Sequence, residues 1–400
     1  MIIEQQPIYL LDKNPPGWVD SSLPQFHTSL LNGSDKPSPE QLLHQSEQRW
    51  QEVSGVPVEQ SAFTVVLPLH NETNFLPSVL GSIMLSDIPP GVQMNVVFVT
   101  NNCKDQTPQM VQEFMGSLGE VSEQDTASLG LEYQDEGLHP QYQTVIPEGT
   151  NWHMMHMYSQ TGSKANALNV GNEVAKRQGH QVAMCLDGNT LPEPRAIASL
   201  FGTAHAEVVI KEDGSPVISG YFKDHQTDHE TVEGKTARQL YPSYLGDKIN
   251  GSSNVVGAMM AWDTDWLSEI GNFPLITLED GYLGKLLMMN GKDVAYAPEA
   301  HTWRYLGGME SRKIQLARFV QGAFQMMDVC PAMEPIIYQT MFYMRGKDER
   351  DALLRANAER IGISPEMVDQ IIQDYDEIYE MGVGLYKTGN ITWEGIEGTK

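Results

Sequence analysis

The stretch VAMCLDGNTLPEP, Val182–Pro194, holds the first side chains with chemistry in view. Five apolar residues run into Asp187, and Gly188, Asn189 and two prolines follow in a polar turn, so the carboxylate is expected at the exit of a buried strand. An Asp-x-Asp at such an exit would point to a divalent cation holding a diphosphate. Here the second acid is an amide, Asn189. Three readings stay open: a cation site with one amide ligand, a site that has lost its cation, and a capped turn.

The elements that would position such residues alternate along the chain. From Ser61, FTVVLPLHN reads as a buried strand leading to a loop, NFLPSVLGSIML as a helix and MNVVFVTNN as the next buried strand. YQTVIPEG is a further strand, SKANALNVGNEVAKRQG a helix stopped by glycine, and the strand bearing Asp187 follows directly. Strands joined by helices predict βαβ units, an α/β fold with a mostly parallel central sheet flanked by helices. Residues 211–235 are polar. Their His225 and His229 share HxxxH spacing without the Glu of a zinc hydrolase, and a solvated loop is the expectation. Apolar content returns in VVGAMMAWDTDWLSEIGNFP, TLEDGYLGKLLMMNG, KDVAYAPEAHTW and SRKIQLARFVQGAFQMM. The expected division is an N-terminal extension over 1–60, an α/β domain over 61–330 and a helical C-terminal segment over 331–400.

Composition narrows the function classes. With 400 residues, 40% hydrophobic and 20% charged, the chain has the make-up of a globular fold. A net charge of −26 speaks against nucleic-acid binding and against attraction to anionic lipid. No apolar run reaches the roughly 18–20 residues of a membrane span. The start MIIEQQPIYLLDKNPPG has neither a basic region nor a long apolar stretch, so a cytoplasmic protein with no integral membrane segment is expected. Cys103, Cys185 and Cys330 are odd in number and widely spaced, which fits neither a disulfide framework nor a zinc knuckle.

Taken in order, the segments resemble the family 2 glycosyltransferases over about Phe63–Met327. VVLPLHNE matches the family's apolar strand ending in Pro-x-x-Asn-Glu, and VFVTNNCKDQT its second strand, with Asn101 and Asn102 where an acid is common. GSKANALN matches a Gly-x-Lys-Ala-x-Ala-Leu-Asn helix start, and DGN the Asp-x-Asp position. GAMM, LEDGYLG and QLARF complete the set. The resemblance implies a GT-A fold and transfer of a sugar from a nucleotide-diphospho-sugar to a hydroxyl of a small-molecule or glycan acceptor, with inversion. It also implies Mg²⁺ or Mn²⁺ as cofactor.

Such a transfer needs a grip on the nucleotide, charge stabilisation for the departing diphosphate and a base for the acceptor. Pro68, Asn71 and Glu72 at the first strand exit, and Asn102 and Asp105 at the second, are suitably placed for a base and ribose, although Asn and Asp favour such turns regardless of ligand. Lys164 opens a helix, where a cation opposes the macrodipole unless an anion is close; a diphosphate would resolve the conflict. The resemblance makes Asp187 a nucleotide and metal-shell contact and Asn189 the direct ligand position, with weaker binding than an acid would give. It makes His301 in PEAHTW a further metal ligand, against which stands plain packing beside Trp303.

The same resemblance makes Asp280, with Glu279 second, the general base, while both acids also suit a helix N-terminus. It puts Gly257, Gln315 and Arg318 on the acceptor side, with Phe319 keeping an aromatic face where Trp is usual. Two rival readings remain: a retaining GT-A enzyme of the glucosyl- or mannosylglycerate synthase type, and a catalytically silent sugar-nucleotide-binding protein. Asn101, Asn102 and Asn189, all standing in place of acids, suggest the second.

Overall fold

A computed structural model of the chain describes residues 39–131, 137–224, 255–304, 309–361 and 364–389. The chain falls into two compact units. The first takes in the described residues up to Asp224 with Val255–Phe273 and Ala295–Arg304; the second takes in Pro274–Val294 and the described residues from 309 onward. His225 and His229 lie outside the described residues.

In the first unit the strands are β1 (Ala62–Leu69), β2 (Gln93–Asn101), β3 (Ser122–Asp125), β4 (Gln141–Val145), β5 (Trp152–Ser159), β6 (Val182–Leu186), β7 (Thr190–Pro192), β8 (Val217–Asp224), β9 (Met259–Asp263) and β10 (Ala295–Arg304). They form one sheet in the order β3-β4-β5-β2-β1-β6-β9-β8-β10-β7. The centre, β5-β2-β1-β6, is parallel throughout. That is the expected architecture, and it explains the unbroken apolar runs: Phe63–Leu69 and Val182–Leu186 are buried because helices cover both faces. Antiparallel pairing extends the sheet outward, through β4 and β3 on one side and β9 on the other.

The helices of this unit are α1 (Pro39–Ser54), α2 (Leu76–Met84), α3 (Thr107–Leu118), α4 (Lys164–Arg177), α5 (Ala196–Ala204) and α6 (Thr264–Glu269). α1 belongs to the core. Trp50 is fully buried, stacks against both Phe63 and Phe201, which touch each other, and donates its indole N–H to Ser61 Oγ at 2.9 Å. α4 lies close on β1: a Cβ at Gly171 would come within 2.3 Å of Val66 Cγ2, so only glycine allows the approach.

The second unit is helical: α7 (Glu279–Met289), α8 (Met309–Val329), α9 (Glu334–Thr340), α10 (Lys347–Ile361) and α11 (Pro365–Lys387). α11 buries Val368, Ile371, Tyr375, Ile378 and Gly382 at helical spacing. It packs on α8 so closely that a Cβ at Gly382 would fall 2.6 Å from the Ala317 carbonyl. Among the described residues no helix is long and apolar enough to cross a membrane.

Candidate functional site

The strand order fixes where a site can form. β1 is followed by β2 on one side, while β6 pairs with its other edge, so the order reverses between β1 and β6. In open α/β sheets ligands bind outside the carboxyl ends of the strands at such a reversal. The β1–β6 ladder ends at Val66 and Cys185, and buried Pro68 lies just beyond it on β1. Beyond these ends stand His70, Asn71 and Glu72 on one side and Asp187, Gly188 and Asn189 on the other.

Asp187 is half-buried and its Oδ1 lies 2.9 Å from Lys164 Nζ. The same ammonium donates to the Gly257 carbonyl at 3.0 Å. Lys164 is the first residue of α4, after the Ser163 cap that accepts from Asn166 N, so its charge sits at the unfavourable end of the helix dipole. The structure supplies an anion from within the chain, the Asp187 carboxylate, and brings Gly257 into the same cluster. Asn189 is exposed beside it. The Asp187 main chain is fixed by its N–H to the Ala258 carbonyl and by Thr190 N donating back to its own carbonyl.

Sequence reasoning missed what holds α4. Asn166, Asn169 and Asn172 recur every three residues, all buried. Asn166 Nδ2 donates to Thr161 Oγ1; Asn169 brackets Phe273, giving to its carbonyl and taking its N–H; Asn172 Oδ1 accepts the Trp262 indole N–H. The signal was the ANALNVGN spacing itself, a polar stripe along a helix otherwise built to be buried. It clamps the helix that carries Lys164.

The loops after β1 and β2 are stapled together. Asn71 and Asn102 both adopt left-handed backbone, with φ of 57° and 44°. His70 Nδ1 lies 2.6 Å from the Asn101 carbonyl, and Asn71 Oδ1 accepts from Lys104 N at 2.8 Å. Asp105 accepts from the Thr73 N–H, the Thr73 hydroxyl and the Thr107 N–H. Burial raises its carboxyl, but those hydrogen bonds outweigh it and hold the group below the usual range. Glu72 N in turn donates to Thr107 Oγ1. Between the loops, burial together with the carboxylates of Asp105 and Glu72 pushes the Cys103 thiol up to about 11, so it is a thiol rather than a thiolate nucleophile.

The His301 side chain meets Glu193 and Tyr221. β10 pairs with β7 through Thr302–Pro192 and Arg304–Thr190, and Glu193 N donates to the His301 carbonyl. His301 therefore stands opposite Glu193, four positions along the chain from Asn189. Its Nδ1 lies 3.4 Å from Glu193 Oε2, its ring packs edge-on to Tyr221, and Glu193 Oε1 takes the Trp303 indole N–H. Among the described residues no group of three or more His, Cys, Asp or Glu side chains is gathered for a metal ion.

The remaining candidates lie in the second unit. Glu279 and Asp280 open α7, whose preceding residue Leu278 gives no side-chain cap, so both acids complement the dipole. Glu279 is buried, whereas Asp280 is half-exposed and accepts the Gly281 N–H at 2.7 Å. Lys285 is fully buried on the same helix; burial pulls its ammonium down to about 8 against the opposing pull of Asp280. Gln315 and Arg318 are half-buried on α8, three residues apart, and Phe319 follows with its ring 6.3 Å from that of Tyr343. The start of α7 is tied to α8 by Thr277 N donating to Gln325 Oε1.

No family model and no curated protein matches the sequence. Among solved structures the chain is similar to a mannosyltransferase, PcManGT from Pyrobaculum calidifontis in complex with GDP-Man and Mn²⁺. The identity is 15%, over 88% of this chain and 95% of that one, with a TM-score of 0.48. It is also similar to TarS 1-349 of S. aureus in complex with UDP, at 13% identity over 82% of this chain and 92% of that one, with a TM-score of 0.41.

Proposed function

We propose that the chain moves a sugar from a nucleotide-diphospho-sugar to an acceptor hydroxyl. The observation that carries this reading is the cation–carboxylate pair Lys164–Asp187 beside the β1–β6 reversal, flanked by two stapled polar loops. A ligand seated there would meet hydrogen-bonding groups from Asn71, Glu72 and Asn102, held in place by Asp105, and an ammonium at a helix N-terminus suited to phosphate oxygens.

Asp187 and Asn189 are the oxygen donors that would hold Mg²⁺ or Mn²⁺, since hard cations take carboxylate and amide carbonyl ligands alike. His301, engaged with Glu193, is left out of that set. When bound, the cation supplies charge stabilisation to the departing diphosphate.

Asp280 is assigned the base on the LEDGYLG match. It takes the acceptor proton as the hydroxyl oxygen bonds to the anomeric carbon; the bond to the diphosphate oxygen breaks with its electron pair, and configuration inverts. Gln315 and Arg318 are assigned to the acceptor. The silent-binder reading is favoured by one observation, that Asp187 is already neutralised by Lys164. Calorimetry with UDP, GDP and dTDP, with Mn²⁺ and with EDTA, tests the site: one nucleoside diphosphate is expected to bind, and no heat with any of them would reject it.

A further inference from the structure

β8 and β10 turn Ile218, Ala297 and Ala300 into the core, and alternate positions of the same two strands carry a row of rings. The Tyr221 centroid lies 5.5 Å from that of Tyr296 and 5.7 Å from that of His301, at interplanar angles of 34° and 61°, so the rings meet at a tilt rather than face to face. Trp303 continues the row. Its indole N–H donates to Glu193 Oε1 at 3.0 Å, and Glu193 Oε2 lies 3.4 Å from His301 Nδ1. Tyr221 is 41% exposed, and Tyr296, His301, Trp303 and Glu193 are half-buried. We infer that this face is an acceptor subsite for a neutral glycan chain, whose sugar rings lie along the row of aromatic rings. This rests on the reading of the chain as a sugar transferase.

Position, surface and charge carry it. β7 starts directly after Asn189 and runs antiparallel to β10, with Thr190 opposite Arg304, Leu191 opposite Trp303 and Pro192 opposite Thr302. The row therefore begins beside the DGN exit and leads away from it through Trp303, His301, Tyr221 and Tyr296. An acceptor chain takes that course when its end reaches the nucleotide crevice. A sugar ring presents C–H bonds polarised by its oxygens, which pack on the negative face of an aromatic ring, while its hydroxyls need acceptors close by. The Glu193 carboxylate, fixed by the Trp303 indole, is such an acceptor. The chain as a whole carries −26, yet on β7, β8, β10 and the turn after β7 the cations Lys223, Arg195 and Arg304 balance the acids Glu193, Asp224 and Glu299. Arg195 is already paired with Glu299 at 3.4 Å. A face balanced in this way has no excess of cations to gather phosphate or uronate, and it suits an uncharged chain.

The test is titration of the full chain, isotope-labelled in its tyrosine rings, with cellotetraose, maltotetraose and mannotetraose, followed by NMR. The Tyr221 signal is identified by its loss in Tyr221→Phe. At least one of these neutral chains is expected to shift that signal. Tyr221→Ala should then bind it roughly 2- to 12-fold more weakly, the range of one aromatic contact, while Tyr221→Phe, which keeps the ring, stays near the parent. Should Tyr221→Ala fail to fold, the shift of the Tyr221 signal in the parent decides alone. Tetragalacturonate, an anionic chain of the same length, is expected to bind more weakly; equal affinity would overturn the assignment to a neutral glycan. If none of the neutral chains moves Tyr221, or if one binds equally well to Tyr221→Ala, the subsite is overturned and the rings are packing at a sheet edge. If a tetrasaccharide moves Tyr221 and no nucleoside diphosphate binds, the glycan site stands and the transfer reading fails. Consumption of a donor with Tyr221 unmoved by every tetrasaccharide is the reverse result.

Discussion

The Glu72 side chain occupies the space that any side chain on residue 188 would need: a Cβ at Gly188 would lie 2.8 Å from Glu72 Cγ and 2.7 Å from Leu69 Cδ2. The two exits of the β1–β6 crevice are thus packed against each other, and glycine in DGN is a matter of space. Gly188→Ala is expected to destabilise the fold by about 1–3 kcal/mol, as overpacking does, and to displace Glu72. Urea unfolding would show a lower midpoint with unchanged slope, and calorimetry a weaker nucleotide. Parent-like values in both would contradict the packing.

Lys164→Ala removes the side chain that pairs the start of α4 with Asp187 at the β6 exit. Loss of a charged hydrogen bond to a phosphate typically costs about 1.5–3 kcal/mol, so nucleoside diphosphate should bind at least tenfold more weakly. Equal affinity in the variant would remove Lys164 from the site.

Asp280→Asn keeps the shape of the first turn of α7 and removes the proton acceptor. Nucleotide affinity should stay near the parent value while kcat falls by about 10²–10⁴-fold. Turnover at the parent rate would reject Asp280 as base.

Lys285 gives a pH signature. Its ammonium titrates at about 8 in the fold against the ordinary 10.5. Between those values the unfolded chain binds more protons than the folded one, so stability rises with pH across the window. Conversely, it is lost as pH falls from 10.5 through 8, and levels off below. Lys285→Met should remove that slope. Denaturant unfolding of parent and variant at pH 7.5, 9 and 10.5 checks it; a constant difference across the three would contradict the assignment.

Legibility in the sequence followed burial. β1, β2 and β6 could be read because strands covered on both faces are apolar throughout. β3, with the sequence SEQD exposed at every position, carries no such pattern and shows itself only as the antiparallel partner of β4. Trp50 sits in a segment whose polar composition suggested an extension packing on or trailing from the main domain, and its buried ring stacks against Phe63 of the core. The exit loops and DGN were legible as polar residues after apolar runs. The Lys164–Asp187 pair was not, because it joins a helix start to a strand exit across the fold. The partner of His301 was not legible for a related reason: it depends on the β7–β10 register, which puts His301 opposite Glu193.

The central claim is sugar transfer, and the most direct measurement is proton NMR of the full chain incubated with UDP-, GDP- and dTDP-hexoses plus Mn²⁺, with glycerate, glycerol and simple hexosides as acceptors. The account predicts that one donor is consumed, that its nucleoside diphosphate appears, and that the new anomeric signal has the configuration opposite to the donor's. It also predicts that Asp280→Asn shows none of this. Nucleotide binding without consumption of any donor, by transfer or by hydrolysis to water, would contradict it and leave a sugar-nucleotide-binding protein.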